Sequence, residues 1–443
     1  MSRNPESLPH ALRNAVPDGE SAPSGYRSLV VVVLSPLAFA LVFACWTLFA
    51  VLGVELRRDL GLGAVGFALL LAMPMLAGAL ASLPMALLAR RFGGRRIMLG
   101  CLLLICPFLW WISHALHYLE FVLAGLGLGL GAGALAAGLV YVADVGPQRH
   151  VGLALGLYGA GMGGAGLSYL LLPLVSQAYG WRMAPLLYLL PVLLVAALLW
   201  LFADDVDTPA VVDETEDDQA PPARASVRTR AVRLATRLAD WQRWRLAITY
   251  SFFFGAFVAL ALWLPGHLVG RYGLSLQAAA LMALPFTLAV GAGQVIGGML
   301  ADWRDFRSLR WWISAFVLAC LFLLSYPPFT MRIEGAQGEW MLHYTAPLEG
   351  FLIVLMAMGV AMGMGQGSLM RLIHRDHGDD MALVGGLALT LGGLFAALLP
   401  PVFVLGSEWI GVHTAGFMFL YAALVVCMLV MLADHARGTR PAR

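Results

Sequence analysis

The chain has 443 residues, of which 60% are hydrophobic and 12% charged, and its formal net charge is +2. Soluble proteins carry roughly 25% charged residues and cover each domain with a polar surface, so this composition excludes an ordinary soluble fold. The small net charge provides no basic face for nucleic acid.

The first 27 residues are polar and hold Pro5, Pro9, Pro17 and Pro23. They lack a basic-then-apolar leader layout and read as a disordered tail. Apolar runs follow near 29–52, 64–88, 97–117, 121–143, 152–175 and 183–202. The first holds no ionisable side chain apart from the Cys45 thiol. At about 1.5 Å per residue, roughly 20 such residues cross the hydrocarbon core. Residues 204–245 begin acidic and turn basic from Arg224 to Arg245. The basic part, with Trp241 and Trp244, suits an amphipathic helix on the membrane surface, and it also leaves room for a regulatory binding site. Six more runs lie near 246–269, 278–300, 311–328, 348–370, 382–405 and 413–433, before a short tail at 435–443. The sequence therefore predicts an all-α membrane protein of twelve helices, with halves at 28–203 and 246–434 joined by a 204–245 linker.

The chain has no lysine, and 23 of its 28 arginines fall in the tail, 89–96, 144–151, 203–245, 301–310, 371–381 and the C-terminal end. Arg57, Arg58, Arg182, Arg271 and Arg332 fall in the opposite loops. That split predicts cytoplasmic termini in a bacterial inner membrane. Cys45, Cys101, Cys106, Cys320 and Cys427 form no CxxC pair and behave as small apolar side chains.

The halves repeat. Residues from Leu60 match residues from Tyr272 at an offset of 212, so that Gly61 falls on Gly273, Ser82 on Gln294, Ala86 on Gly298 and Arg90 on Asp302. Pro74 and Pro285 are one residue out of step. Two related halves predict a solute site between them near mid-membrane. Glycine is dense in corresponding spans: Gly131 and Gly133 in the fourth, Gly161 and Gly163 in the fifth, Gly365 in the tenth and Gly392 in the eleventh. Such glycines let backbones pack closely, and they also suit helices that bend at a moving interface.

The runs GLGLGLGAGALAAGLVYVADVGP and GLALGLYGAGMGGAG, and later GMGQGSLMRLIHRDHGDDMALVGGLALTLGG, resemble the two signatures of the nitrate/nitrite porters of the major facilitator superfamily. The run YSFFFGAFVALALWLPGHLVGRYGLS with IGGMLAD is similar to that family's seventh and eighth spans. The resemblance implies a transporter, not an enzyme, that needs no cofactor. Such a transporter is expected to act as a monomer in the lipid bilayer and to move a small inorganic anion, with nitrate or nitrite first among the candidates. It also implies a site. Two arginines clamp the anion in the family, and the matching positions here are Ser82 and Gln294. Its span-5 asparagine becomes Met162 and its GNG asparagine becomes Gln366. One aromatic is kept as Phe254, beside Tyr250, and its partner corresponds to Leu135. Asp302 keeps the gating motif, and Arg90 is its first-half counterpart.

Guanidinium supplies a fixed charge and a fork of donors suited to an oxyanion, whereas Ser82 and Gln294 supply neutral donors only. A neutral or organic substrate is therefore a second reading, and a non-transporting sensor acting through 204–245 is a third. The spans hold no central carboxylate, so exchange or facilitated passage is simpler than proton drive. His267 suits either a proton relay or a carbonyl bond. The methionines Met356, Met358, Met362, Met364 and Met370 suit either a soft copper route or adaptable packing. His374 and His377 suit either a metal or solvent. Asp302 is expected to pin the eighth and ninth spans through Arg307 or Arg310.

Overall fold

The computed structural model describes residues 25–204, 236, 241–303, 306–326, 329–335, 338–344, 347–412 and 414–438. Eleven of its helices are long and apolar enough to cross a membrane, and a shorter apolar stretch, Leu309–Leu324, lies in a twelfth. The first half comprises α1 (Gly25–Asp59), α2 (Ala64–Phe92), α3 (Gly94–His114), α4 (Tyr118–Val145), α5 (Gln148–Tyr179) and α6 (Trp181–Phe202). The second comprises α7 (Trp241–Tyr272), α8 (Leu276–Trp303), α9 (Phe306–Leu324), α10 (Leu348–Asp376), α11 (Met381–Ile410) and α12 (Ala415–Gly438). Below, "inner" denotes the side on which α1 begins.

Trp241 and Trp244 belong to the first turns of α7 rather than to a separate surface helix. The rest of that expectation falls outside the described residues. α9 ends at Leu324, four residues before the expected span boundary. The connection to α10 contains a hairpin that the all-α expectation missed: β1 (Phe329–Gly335) pairs antiparallel with β2 (Gly338–Tyr344), with Phe329 opposite Tyr344 and Gly335 opposite Gly338.

The internal repeat is visible in the backbone. α2 starts at Ala64 and α8 at Leu276, 212 positions later. Each is preceded by a tight turn through a left-handed glycine, Gly61 at φ 62° and Gly273 at φ 64°. A side chain at either position would be strained, which is why glycine occupies both.

Two long seams join the halves. In one, α5 lies against α8: a Cβ on Gly298 would come within 2.1 Å of the Gly152 carbonyl, and one on Gly156 within 2.5 Å of the Gln294 carbonyl. Only glycine permits this backbone approach. In the other, α2 lies against α11. Gly386 packs on Ala86 and Leu83, Gly393 packs on Ala79, and the Leu83 N–H donates to Thr390 Oγ1 at 3.2 Å. Gly298 and Ala86 are the repeat-related pair, so the two seams are built from equivalent helix faces.

The glycines divide by role. α4 is interrupted between Gly129 and Ala132, and α5 passes through a 3-10 segment, Ala160–Gly164, so Gly131, Gly161 and Gly163 lie at helix distortions and Gly133 just after one. Gly365 and Gly392 lie in unbroken helices, where they admit the rings of Phe253 and Phe254. The first-half glycines thus lie at or beside helix interruptions, and the second-half ones at close ring contacts.

Candidate functional site

The 3-10 segment of α5 is the sequence AGMGG, whose four small residues leave Met162 as its one large side chain. Gln294 of α8 meets it. The Gln294 Nε2 donates to Met162 Sδ at 2.9 Å and to Gln366 Oε1 of α10 at 3.1 Å. Gln366 Nε2 in turn donates to the Phe253 carbonyl of α7 at 3.0 Å. Met162, Gln294 and Gln366 are all buried. The cluster fits because Gly159 has no side chain: a Cβ there would lie 1.6 Å from Gln294 Oε1. Four helices, one from the first half and three from the second, thus converge on one polar knot.

Tyr250 and Phe254, one turn apart on α7, stack at 5.8 Å between ring centroids. Leu135 of α4 is buried, and its carbonyl accepts the hydroxyl of Tyr158 at 2.5 Å. Tyr158 was not among the residues expected from sequence. Its signal was its position one turn before Met162 on the same face of α5. Its ring lies 5.1 Å from that of Phe39 on α1. Ser82 is buried, and its hydroxyl donates to the Gly78 carbonyl of its own helix at 2.7 Å. It is therefore not joined to the knot. The knot offers amides and a thioether beside aromatic rings, and Met162, Gln294 and Gln366 carry no formal charge. An anion there would have to compete with Met162 and Gln366 for the Gln294 amide protons.

The knot is covered on both sides. On the inner side the Asp302 carboxylate of α8 accepts the N–H groups of Gly152 at 3.0 Å and Leu153 at 2.9 Å. It also pairs with Arg371 Nε of α10 at 2.8 Å. The carboxylate thus sits on the free N–H groups at the start of an α5 helical segment, where the helix dipole favours negative charge. Arg371 is a partner that the sequence did not single out. Among the described residues Asp302 holds α5 and α10, and the side chain of the expected partner Arg307 lies outside them. Arg371 was missed because it is 69 positions away in sequence. Arg90, the repeat counterpart of Asp302, is half-buried and lies near Asp144 of α4.

On the outer side Tyr169 of α5 donates its hydroxyl to the Ala261 carbonyl of α7. Phe43 of α1 stacks on Phe257 of α7 at 5.7 Å, and Gln177 Nε2 donates to Gln277 Oε1 at 3.0 Å. His267 sits apart from the knot, stacked on Trp263 at 4.0 Å and flanked by Phe351 and Phe417 within the second half.

Residues 34–400 match the Major Facilitator Superfamily. The chain is 30% identical to the probable nitrate/nitrite antiporter NarK1 of Thermus thermophilus over 416 residues, covering 91% of this chain and 90% of that protein. It is 25% identical to the nitrite extrusion protein of Bacillus subtilis, covering 92% and 94% respectively. Among solved structures, a bacterial homologue of the human lysosomal transporter Spinster, in an inward-facing and occupied conformation, superposes with a TM-score of 0.59. That match has 16% identity and covers 93% of this chain and 96% of the other, so it concerns the fold alone.

Proposed function

Because this chain belongs to the major facilitator superfamily, we propose that it carries a small polar solute, nitrate or nitrite foremost, between the two faces of a bacterial inner membrane by alternating access. The observation that carries this reading is the buried knot of Met162, Gln294 and Gln366, drawn from both halves and covered by an inner and an outer set of contacts. The glycine seams supply surfaces over which the halves can rock, and the names of the curated relatives supply the solute. The arginine distribution supports placing both chain ends in the cytoplasm.

A second reading, a neutral or organic solute, is favoured by one specific observation. Both positions that match the family's arginine clamp are neutral, and Ser82 is engaged with its own helix. The two readings separate in proteoliposomes loaded against a panel of nitrate, nitrite, cyanate, formate and small neutral solutes. Uptake of nitrate or nitrite supports the first. Uptake confined to neutral solutes supports the second, and no uptake of any panel member would refute both.

A further inference from the structure

The hairpin between α9 and α10 is strongly two-sided. Residues directly opposite in an antiparallel pair, and alternate residues along each strand, share a face. The register of β1 and β2 therefore puts Phe329, Met331 and Ile333 on one face with Tyr344, Leu342 and Trp340. The opposite face carries Arg332, Glu334, Glu339 and His343, with Thr330 and Met341. One face is thus wholly apolar, three of its six residues aromatic, and the other is polar apart from Met341. A lone two-stranded hairpin is marginally stable at best in water and needs an apolar partner for one face. Among the described residues neither strand runs along a helix.

The place of the hairpin says what meets that face. α9, like α1, runs from the inner to the outer side, so the hairpin stands on the outer side. Two residues, Pro327 and Pro328, join Tyr326 to β1, and three, Thr345, Ala346 and Pro347, join β2 to Leu348. Stretches this short reach about 10 Å at most. The base of the hairpin is therefore held at the level of the helix ends, where the bilayer meets water and where Trp and Tyr concentrate. Among the described residues α9 packs chiefly on α10 and α12 of its own half, away from both seams. Its outer end exposes Phe322, Leu323 and Tyr326, and the outer end of α10 exposes Ile353, so this edge of the molecule faces lipid. At the same level an apolar cavity of about 280 Å³ between α9 and α12 is lined by Phe322, Ser325, Tyr326, Met418 and Tyr421. Tyr326 belongs both to that cavity and to the root of the hairpin.

We propose that the hairpin is an interfacial anchor that lies on the outer leaflet, with its apolar face among the acyl chains and its polar face toward water and headgroups. Its partner is the phospholipid surface. The aromatic residues of the apolar face are of the kind that settles at the headgroup level, where one end of a ring is apolar and the other wet. Glu334 and Glu339, opposed near the tip, belong in water. The cavity at the root continues the same surface and accepts part of an acyl chain. Anchored in this way, the outer ends of α9 and α10 have a fixed depth in the bilayer.

The test uses the full chain with one copy per phospholipid nanodisc, so that no second copy can cover the face. Nitroxide labels are attached at Ile333→Cys on the apolar face and at Glu334→Cys on the polar face, above the background of the native cysteines. Oxygen concentrates in lipid, whereas a nickel chelate stays in water. The ratio of collisions with oxygen to collisions with the chelate should be several-fold higher at 333 than at 334. Equal ratios with both labels open to the chelate overturn the proposal. A label at 333 closed to both reagents also overturns it, because protein would then cover the face, as it would if the hairpin folded over the outer mouth of the helices. The unmutated chain decides the matter if a labelled variant misfolds. A phospholipid with a photoreactive diazirine near the glycerol end of one acyl chain should leave adducts within 329–344, and adducts confined to the helices overturn the anchor.

Discussion

Replacing Asp302 with asparagine should open the inner side. The Asp302 side chain is 6% exposed and that of its partner Arg371 23%, so the pair is largely shielded from solvent screening. Its carboxylate accepts three hydrogen bonds, at 2.8, 2.9 and 3.0 Å, two of them from the N-terminal turn of an α5 segment. Asparagine keeps one acceptor oxygen but loses the charge, and its NH2 group faces donors. Hydrogen bonds to charged groups contribute about 1.5–3 kcal/mol each. The loss in the closed arrangement is therefore about 2–3 kcal/mol, while an open arrangement, with the side chain in water, loses little. The equilibrium should shift about 30- to 150-fold toward the inner-open form. Spin labels at Arg149 on α5 and Arg375 on α10, both exposed, would report it as a population at longer distance. A distance distribution identical to that of wild type would refute the assignment of Asp302 as the inner latch. Gly152→Ala reaches the same latch from the other side, since its Cβ would lie 2.5 Å from Asp302 Oδ1.

Three further outcomes are expected. Gly61→Ala and Gly273→Ala should each lower stability by about 1–2 kcal/mol in thermal melts, the cost of a left-handed alanine, whereas Gly63→Ala, at φ −65° with open space around it, should be near neutral. Tyr169→Phe removes one buried bond between α5 and α7 and should favour outer opening by about 5-fold. Labels at Tyr179 and Ser275 would measure that shift, and no change would place the outer closure elsewhere. The double change Ser82→Arg with Gln294→Arg should raise nitrate affinity by about tenfold or more, and a single arginine should gain less, because one fork cannot clamp both sides of a planar anion. Isothermal titration would decide it, and a folded double variant with unchanged affinity would show that neither position faces the solute.

The twelve helices and their repeat were legible because membrane spans announce themselves by length and apolarity, and because the Gly61 and Gly273 turns recur at a fixed offset. The Met162–Gln294–Gln366 grouping was legible only through family resemblance, which placed the residues without saying how they touch. The Asp302 latch was half legible. Its carboxylate stands out at the end of an apolar span, but its partners lie 149, 150 and 69 positions away and depend on which helices cross. The hairpin at 329–344 escaped notice because it lies between two apolar spans, and helix length was the guiding signal there. What glycine does in each helix was not legible: α4 and α5 are interrupted where glycine is dense, whereas α10 remains regular and its Gly363 and Gly367 accept the backbone of α8 at Val290 and Gln294.

A neutral site changes the energetics of transport as well as its selectivity. A carrier whose empty site holds fixed positive charge must move that charge through the low-dielectric core when it returns unloaded. That movement is costly, and it favours exchange of one anion for another. In this chain the knot is built from amides and a thioether, so on the proposed reading the empty carrier returns without moving charge at the site. The loaded carrier bears the charge of its solute. With a monovalent anion, net uptake should therefore respond to membrane potential, at about 2.3 kcal/mol per 100 mV, or about 50-fold in the accumulation ratio at equilibrium. Proteoliposomes containing only potassium gluconate, clamped interior-positive with valinomycin, should accumulate nitrate without any anion of the panel inside to exchange for it. The same vesicles clamped interior-negative should not. Accumulation that requires internal nitrite and ignores the potential would mean that charge is compensated at the site after all. The search would then turn to the backbone N–H groups of the α4 and α5 distortions around Gly131 and Gly163, where helical segments begin in mid-membrane and their dipoles present positive ends.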